Sequence, residues 1–169
     1  EGYGARMEPT AALMGMMSPD RLGKKSGAGF YDHRRKGRKK GGPTLMEDLT
    51  GYQQGSRAMR MSDVEIVERV VLAMVGEGAR AFEDRVVATA AEFDLATVFG
   101  TGFAPFRGGL LKYVDSVGAA NICERMDAHR AMADVAERGD AAQRFEPADI
   151  LRKLAEDGGT FHGLTDSPA

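Results

Sequence analysis

Cysteine is nearly absent. Cys123 is the only one in 169 residues, so no internal disulfide can form and a reducing compartment is expected. Long apolar runs are missing too: none approaches the roughly 18 residues that a membrane-spanning helix needs. No signal peptide opens the chain, which begins at Glu1 rather than Met, so the expectation is that it is a cut piece. No stretch alternates apolar and polar residues at strand periodicity, so the body from about residue 60 is expected to be all-α. Nor is there a strong excess of one charge. With 23 Lys and Arg against 25 Asp and Glu, the net charge of −2 excludes a general affinity for nucleic acid or acidic membranes.

What is present suits one ordinary domain, or one domain plus a piece of another. The chain is 43% hydrophobic and 28% charged, near globular averages. Charge is unevenly distributed. Residues 1–40 carry ten Lys and Arg against four Asp and Glu, a balance of +6. The remaining thirteen and twenty-one give −8 for the rest. The ten methionines sit at helical spacing and read as core filler.

Along the chain, Pro9–Met17 reads as a short helix with Leu13, Met16 and Met17 on one face, broken at Ser18-Pro19-Asp20. Gly37–Gly55 is rich in glycine and polar residues and reads as a linker with a weak apolar patch at Leu45, Met46 and Leu49. Ser62 with Glu65 forms a capping-box pattern. It opens a helix whose Val64, Val67, Val71, Met74, Gly78 and Phe82 recur at steps of three and four. Two glycines in one turn, Gly76 and Gly78, predict a closely packed neighbour. A second capping box, Thr89 with Glu92, precedes Phe93, Ala96 and Val98. Leu110–Val114 is a short helical segment. Asp115 or Ser116 is the expected cap of a longer helix with Ile122, Met126, His129 and Ala133 on one face. Pro147 opens a last helix carrying Ile150, Leu151 and Leu154, and Gly158-Gly159 ends it.

Part of the pattern occurs twice. "MEPTAALMGMM" from Met7 and "FEPADILRKLA" from Phe145 share Glu, Pro and Leu at the same offsets, and each leads to glycines and an aromatic, "SGAGFYDH" and "GGTFHG". The simplest account is the tail of one module followed by a complete second copy.

Motifs for chemistry are incomplete. A phosphate loop ending at Gly23-Lys24 needs glycine where Ser18 stands and Ser or Thr where Lys25 stands. "GTGFAPFRG" lacks the preceding strand and the third glycine position of a dinucleotide fingerprint. The basic run His33–Lys40 has no recognised nucleic-acid-binding fold beside it and reads as solvated chain. His33, His129 and His162 are far apart, and none stands at metal-ligand spacing. Glu65, Glu68, Glu77 and Glu83 fall mostly on the polar side of their helix. Cys123 reads as a small buried hydrophobe. The residues by themselves give no catalytic, cofactor-binding or metal-binding set.

Three stretches resemble a known family. "RLGKKSGAGFYDH" (residues 21–33) resembles the segment that ends the C-terminal helical domain of 3-hydroxyacyl-CoA dehydrogenases. "FDLATVFGTGFAPFRGGLLKYVDSVG" (93–118) and "RFEPADILRKLAEDGGTFHG" (144–163) resemble the second helical domain of multifunctional fatty-acid β-oxidation enzymes, the α subunits of fatty acid oxidation complexes. Ala104 stands where such proteins usually carry proline. The resemblance implies an all-α bundle like the C-terminal domain of those dehydrogenases. It divides the chain into the tail of a first helical domain (1–35), a basic, glycine-rich linker (36–60), a complete second helical domain (61–164) and a short tail (165–169).

The same resemblance implies a cytoplasmic parent enzyme that oxidises 3-hydroxyacyl-CoA with NAD and hydrates enoyl-CoA. It implies an upstream Rossmann domain and first helical domain as packing partners, and it leaves open a thiolase subunit. The glycine fingerprint for NAD, the His–Glu pair of the dehydrogenase and the hydratase carboxylates do not occur in these 169 residues. The implied role of the chain is therefore structural, with no site residue assigned and no turnover expected from it alone. The alternative is an autonomous helical module that binds an acidic partner through its basic arm.

Overall fold

The computed structural model describes residues 4–7, 9, 11–34, 44–52, 61–136 and 141–164. Six α-helices occur among them: α1 (Ala11–Met16), α2 (Asp63–Glu83), α3 (Ala90–Thr101), α4 (Leu110–Val117), α5 (Ala119–Ala136) and α6 (Asp149–Asp157). The only sheet there is a pair of two-residue antiparallel strands, β1 (Tyr31–Asp32) and β2 (Thr44–Leu45), with Tyr31 opposite Leu45. The all-α expectation holds. The chain forms two compact units: Glu8–Ser62, and Asp63–Ala169 together with Glu1–Met7.

The larger unit is a five-helix bundle closed by single 3-10 turns. Its core is formed by Leu72, Val75, Ala79 and Phe82 of α2, Leu110, Leu111 and Val114 of α4, Ile122 and Met126 of α5, Ile150, Leu151 and Leu154 of α6, and Phe145 and Phe161 from the turns. Phe82 and Phe161 meet edge to face, with centroids 5.5 Å apart and planes at 88°. Such a pair adds about 0.5–1.5 kcal/mol beyond area burial. The Gly4–Met7 turn is tied to this unit by polar contacts. Arg6 Nε donates to Glu77 Oε1 at 2.8 Å, and Arg144 Nε donates to the Arg6 carbonyl at 2.8 Å.

Several helix signals act where the sequence places them. Thr89 Oγ1 accepts from the Glu92 amide while Glu92 Oε2 accepts from the Thr89 amide, completing the box that starts α3. Gly158, at φ 64, ends α6 in the left-handed conformation that glycine adopts without strain. Ile122, Met126 and His129 share the buried side of α5; the Ala133 side chain lies outside the described residues.

Two expectations are corrected. Along α2, Val64 and Val67 are 76% and 60% exposed, whereas Val71 and Met74 pack against the core and Gly78 and Phe82 are buried as expected, within a stripe of Leu72, Val75, Gly76, Gly78, Ala79 and Phe82. The first two turns carry aliphatic residues all round, so periodicity alone does not identify the covered side. The inward residues of α3 are Ala90, Asp94 and Thr97, with Phe93 half-buried against the core. Asp115 does not cap α5. It lies inside α4, and Gly118 at φ 91 makes the break before Ala119.

The smaller unit contains α1 and the hairpin-like segment after it. Ser18 caps the turn Pro19–Arg21, and Arg21 bonds to Met16 Sδ at 3.0 Å and pairs with Asp48. Gly29 passes so close to Gly23 that an added Cβ would lie 2.9 Å from the Gly23 Cα. Phe30 and Tyr31 are 47% and 44% exposed, so they do not anchor a core in this chain.

Two glycine substitutions should have opposite signs. A Cβ on Gly109, at φ 119, would fall 2.3 Å from Asp94 Cβ, whereas one on Gly100 of α3 meets nothing within 4 Å. Gly109→Ala should lower unfolding stability by about 3 kcal/mol or more. Gly100→Ala should raise it by up to about 1 kcal/mol. Urea unfolding followed by circular dichroism measures both.

Candidate functional site

Polar side chains converge most densely where α3, α4 and the last 3-10 turn (Phe161–Gly163) meet. Asp94 points inward from α3 because Ala90, Asp94 and Thr97 fall on one face. Its Oδ1 accepts from the Leu111 amide at 2.6 Å and its Oδ2 from the Lys112 amide at 2.9 Å. These are free amides of the first turn of α4, and Gly109 before them offers no side chain to supply a cap. Asp94 therefore caps α4 from another helix, where a carboxylate also meets the positive end of the helix dipole. Thr97 adds a second link: its hydroxyl donates to the Asp94 carbonyl at 2.9 Å and accepts from the Leu110 amide at 3.4 Å.

His162 completes the cluster. Its Nδ1 lies 2.7 Å from Asp115 Oδ2 and its Nε2 3.3 Å from Asp94 Oδ2. Asp115 also accepts from the Phe161 amide at 2.7 Å and the His162 amide at 3.2 Å. The two carboxylates are about as buried as core residues, at 5% and 6% side-chain exposure, and the imidazole is 28% exposed. Burial pushes the Asp94 carboxyl up. The two amides and His162 oppose the shift, Asp115 reinforces it, and the net direction is upward.

This arrangement looks like a catalytic triad but cannot act as one. Both ring nitrogens face a carboxylate, so neither is free to take a proton from a substrate. The oxygens of Asp94 are directed at backbone amides. Among the described residues, no group of three or more His, Cys, Asp or Glu side chains could hold a metal ion.

A second polar cluster joins α2 to α5. Glu68 Oε1 accepts from Arg125 Nε at 2.5 Å, and its Oε2 lies 3.6 Å from His129 Nε2. The His129 ring stacks on Phe145 with centroids 5.4 Å apart, and Arg69 lies over the same Phe145 ring. His129 Nδ1 is buried without a hydrogen-bond partner among the described residues. Burial of Glu68 raises its carboxyl, but the Arg125 hydrogen bond and charge, with His129, outweigh this and hold it below the ordinary carboxylate range.

The other residues singled out in the sequence fall outside these clusters. His33 donates its amide to the Gly27 carbonyl at 2.8 Å, and residues 35–40 of the basic run lie outside the described residues. Around Lys24 and Lys25, the Leu22 amide is bound by Ser26 Oγ and the Gly23 amide by the Ala28 carbonyl, so neither is available to a phosphate. Cys123 is buried, and burial pushes its thiol up, which suppresses the reactive thiolate. Glu77 pairs with Arg6 and Arg80. No helix of the described residues is long and apolar enough to cross a membrane. Sequence reasoning missed Asp94 and gave Asp115 the wrong task, because their partners are 17 to 68 residues away.

Comparison with known proteins gives one consistent result. The chain is 36% identical over 96% of its length to a protein named fatty acid oxidation complex subunit alpha from Acinetobacter baumannii strain SDF. It is 35% identical over the same share to that of strain AYE, and 34% identical over 99% to the protein of the same name from Pseudomonas syringae pv. syringae strain B728a. No family model matches. In each case the match takes in 22% of the relative, so the chain is homologous to a section of these subunits and spans about a fifth of their length.

Two predictions test the clusters. Asp94→Asn should destabilise the chain by about 1–3 kcal/mol in urea unfolding, because its amide group would turn a donor toward one of two buried donors. A variant at least as stable as the parent would mean that relief of carboxylate burial outweighs the cap. Glu68 contributes stability above its unfolded carboxylate range, and that stability is lost as pH falls through its lower folded value. Glu68→Gln should flatten the fall in unfolding midpoint between about pH 6 and about pH 3.

Proposed function

We propose that the chain is the C-terminal helical portion of a fatty-acid β-oxidation multifunctional protein, and that its work there is structural. The observation that carries this is the end-to-end identity, 36% over 96% of the chain, to a section of fatty acid oxidation complex α subunits. The parent would oxidise 3-hydroxyacyl-CoA to 3-ketoacyl-CoA with NAD in the cytoplasm and hydrate enoyl-CoA. Its cofactor-binding and catalytic residues would lie in other domains. The section described would pack against those domains and hold the dehydrogenase half in shape.

Three features support the reading. The polar clusters in the bundle tie helices to one another, with Asp94, Asp115 and Glu68 each engaged by protein partners. The bundle also leaves apolar side chains uncovered: Val64 and Val67 on α2, and Leu95, Phe99 and Phe106, the last two 81% and 85% exposed. Isolated exposed apolar residues are ordinary, but groups of them mark surfaces that meet another protein part.

The internal echo gives the third. Phe145, Leu151 and Phe161 are 4%, 0% and 0% exposed, whereas their counterparts Met7, Leu13 and Phe30 are 51%, 46% and 47% exposed. The complete copy has its own bundle to bury these positions. The first copy would have it in the preceding helical domain, which supports residues 1–35 as that domain's tail and 61–164 as the second domain.

The test is replacement. The homologous section of the Acinetobacter baumannii subunit is deleted, or exchanged for this chain, and NADH formation from 3-hydroxybutyryl-CoA is followed. Deletion should abolish activity, the exchange should restore it, and the 169-residue chain alone should form no NADH. NADH formation by the chain alone, or full activity after deletion, would falsify the structural assignment. Phe99→Glu with Phe106→Glu should leave the unfolding of the free chain within about 0.5 kcal/mol of the parent chain yet reduce the activity restored by the exchange.

A further inference from the structure

We propose that His162 is a proton-operated clasp that fastens the turn Phe161–Gly163 to α3 and α4, closed when the imidazole is doubly protonated and loosened when it is neutral. The geometry sets this logic. Nδ1 faces Asp115 Oδ2 at 2.7 Å and Nε2 faces Asp94 Oδ2 at 3.3 Å, so both nitrogens point at carboxylate oxygens. The imidazolium has an N–H for each. The neutral ring has only one, and its other nitrogen then presents a lone pair to an acceptor. The shorter contact retains the proton, so the Nε2–Asp94 contact opens first.

The groups that face the ring are Asp94 from α3 and Asp115 from α4. Lys112 of α4 approaches the cluster through its amide on Asp94 Oδ2, the same oxygen that Nε2 faces. When Nε2 loses its proton, that oxygen keeps the Lys112 amide and α4 stays capped, while the tie from α3 to the turn is lost. The turn carries Phe161, fully buried against Phe82, so the clasp bears on one edge of the core.

Asp94 adds an effect of the same sign at its own titration. Because burial raises its carboxyl, its stabilising contribution is present below the unfolded value and lost as pH rises through the folded one. A His162 variant retains an Asp94 carboxyl and lacks the imidazole, which separates the two.

The experiment is amide hydrogen exchange on the whole 169-residue chain at about pH 5.5 and about pH 8, corrected for intrinsic exchange rates. Protection of the Phe161 and His162 amides, which donate to Asp115, should fall about tenfold at the higher pH. Protection at Met126 in the middle of α5 should not change. In His162→Gln the two turn amides should show the lower protection at both pH values. Equal protection of those amides at both pH values in the unaltered chain overturns the proposal, as does a His162→Gln variant that keeps the pH response. Should that variant not fold, nitrogen NMR of the His162 ring in the unaltered chain decides: two protonated nitrogens at the lower pH and one at the higher are expected. A single charge state throughout overturns the clasp.

Discussion

The carboxylate of Asp94 is the constraint around which the closed end of the bundle is arranged. It sits on α3 but satisfies the first turn of α4, and it tolerates burial because two amides and an imidazole surround it. Gly109 is the other half of that arrangement. Only a residue without a Cβ can stand at φ 119 against the Asp94 side chain. The glycine-rich connection between α3 and α4 is thus shaped by a helix cap that approaches from outside the helix it caps.

The apolar core depends on this corner. Leu110, Leu111 and Val114 reach the interior because α4 starts where Asp94 fixes it, and they pack with Phe82, Ile122 and Leu151. Asp115, one turn further along α4, holds the backbone of the last turn, and Phe161 enters the core beside it. Polar and apolar contacts work at different ranges here. The carboxylates fix the register of chain segments, and the burial of large side chains supplies most of the driving force.

The absence of a free functional group in these clusters follows from the same economy of partners. Among the described residues, each buried side-chain nitrogen or oxygen meets a partner, apart from His129 Nδ1. A catalytic group needs the opposite: a lone pair or a proton held ready for a substrate. Exposed aromatic and aliphatic side chains, in contrast, lie on the outside, where another part of a larger protein can cover them. A section about a fifth of the length of its relatives is expected to have such faces.

The sequence by itself determined whatever depends on neighbours within about one helical turn. The Thr89–Glu92 box, the Gly158 stop and the Ile122–Met126–His129 face were legible because cap geometry and helical period are local. The family resemblance was legible in the stretches 93–118 and 144–163. Only the tertiary structure decided which side of α2 is covered, and that Val64 and Val67 are left outside. Only it turned Asp94 inward and brought Asp115 to His162 across 47 residues. Those outcomes depend on where distant segments place their amides and side chains, and a carboxylate in a one-dimensional sequence has the same chemistry whether its partner is near, far or absent.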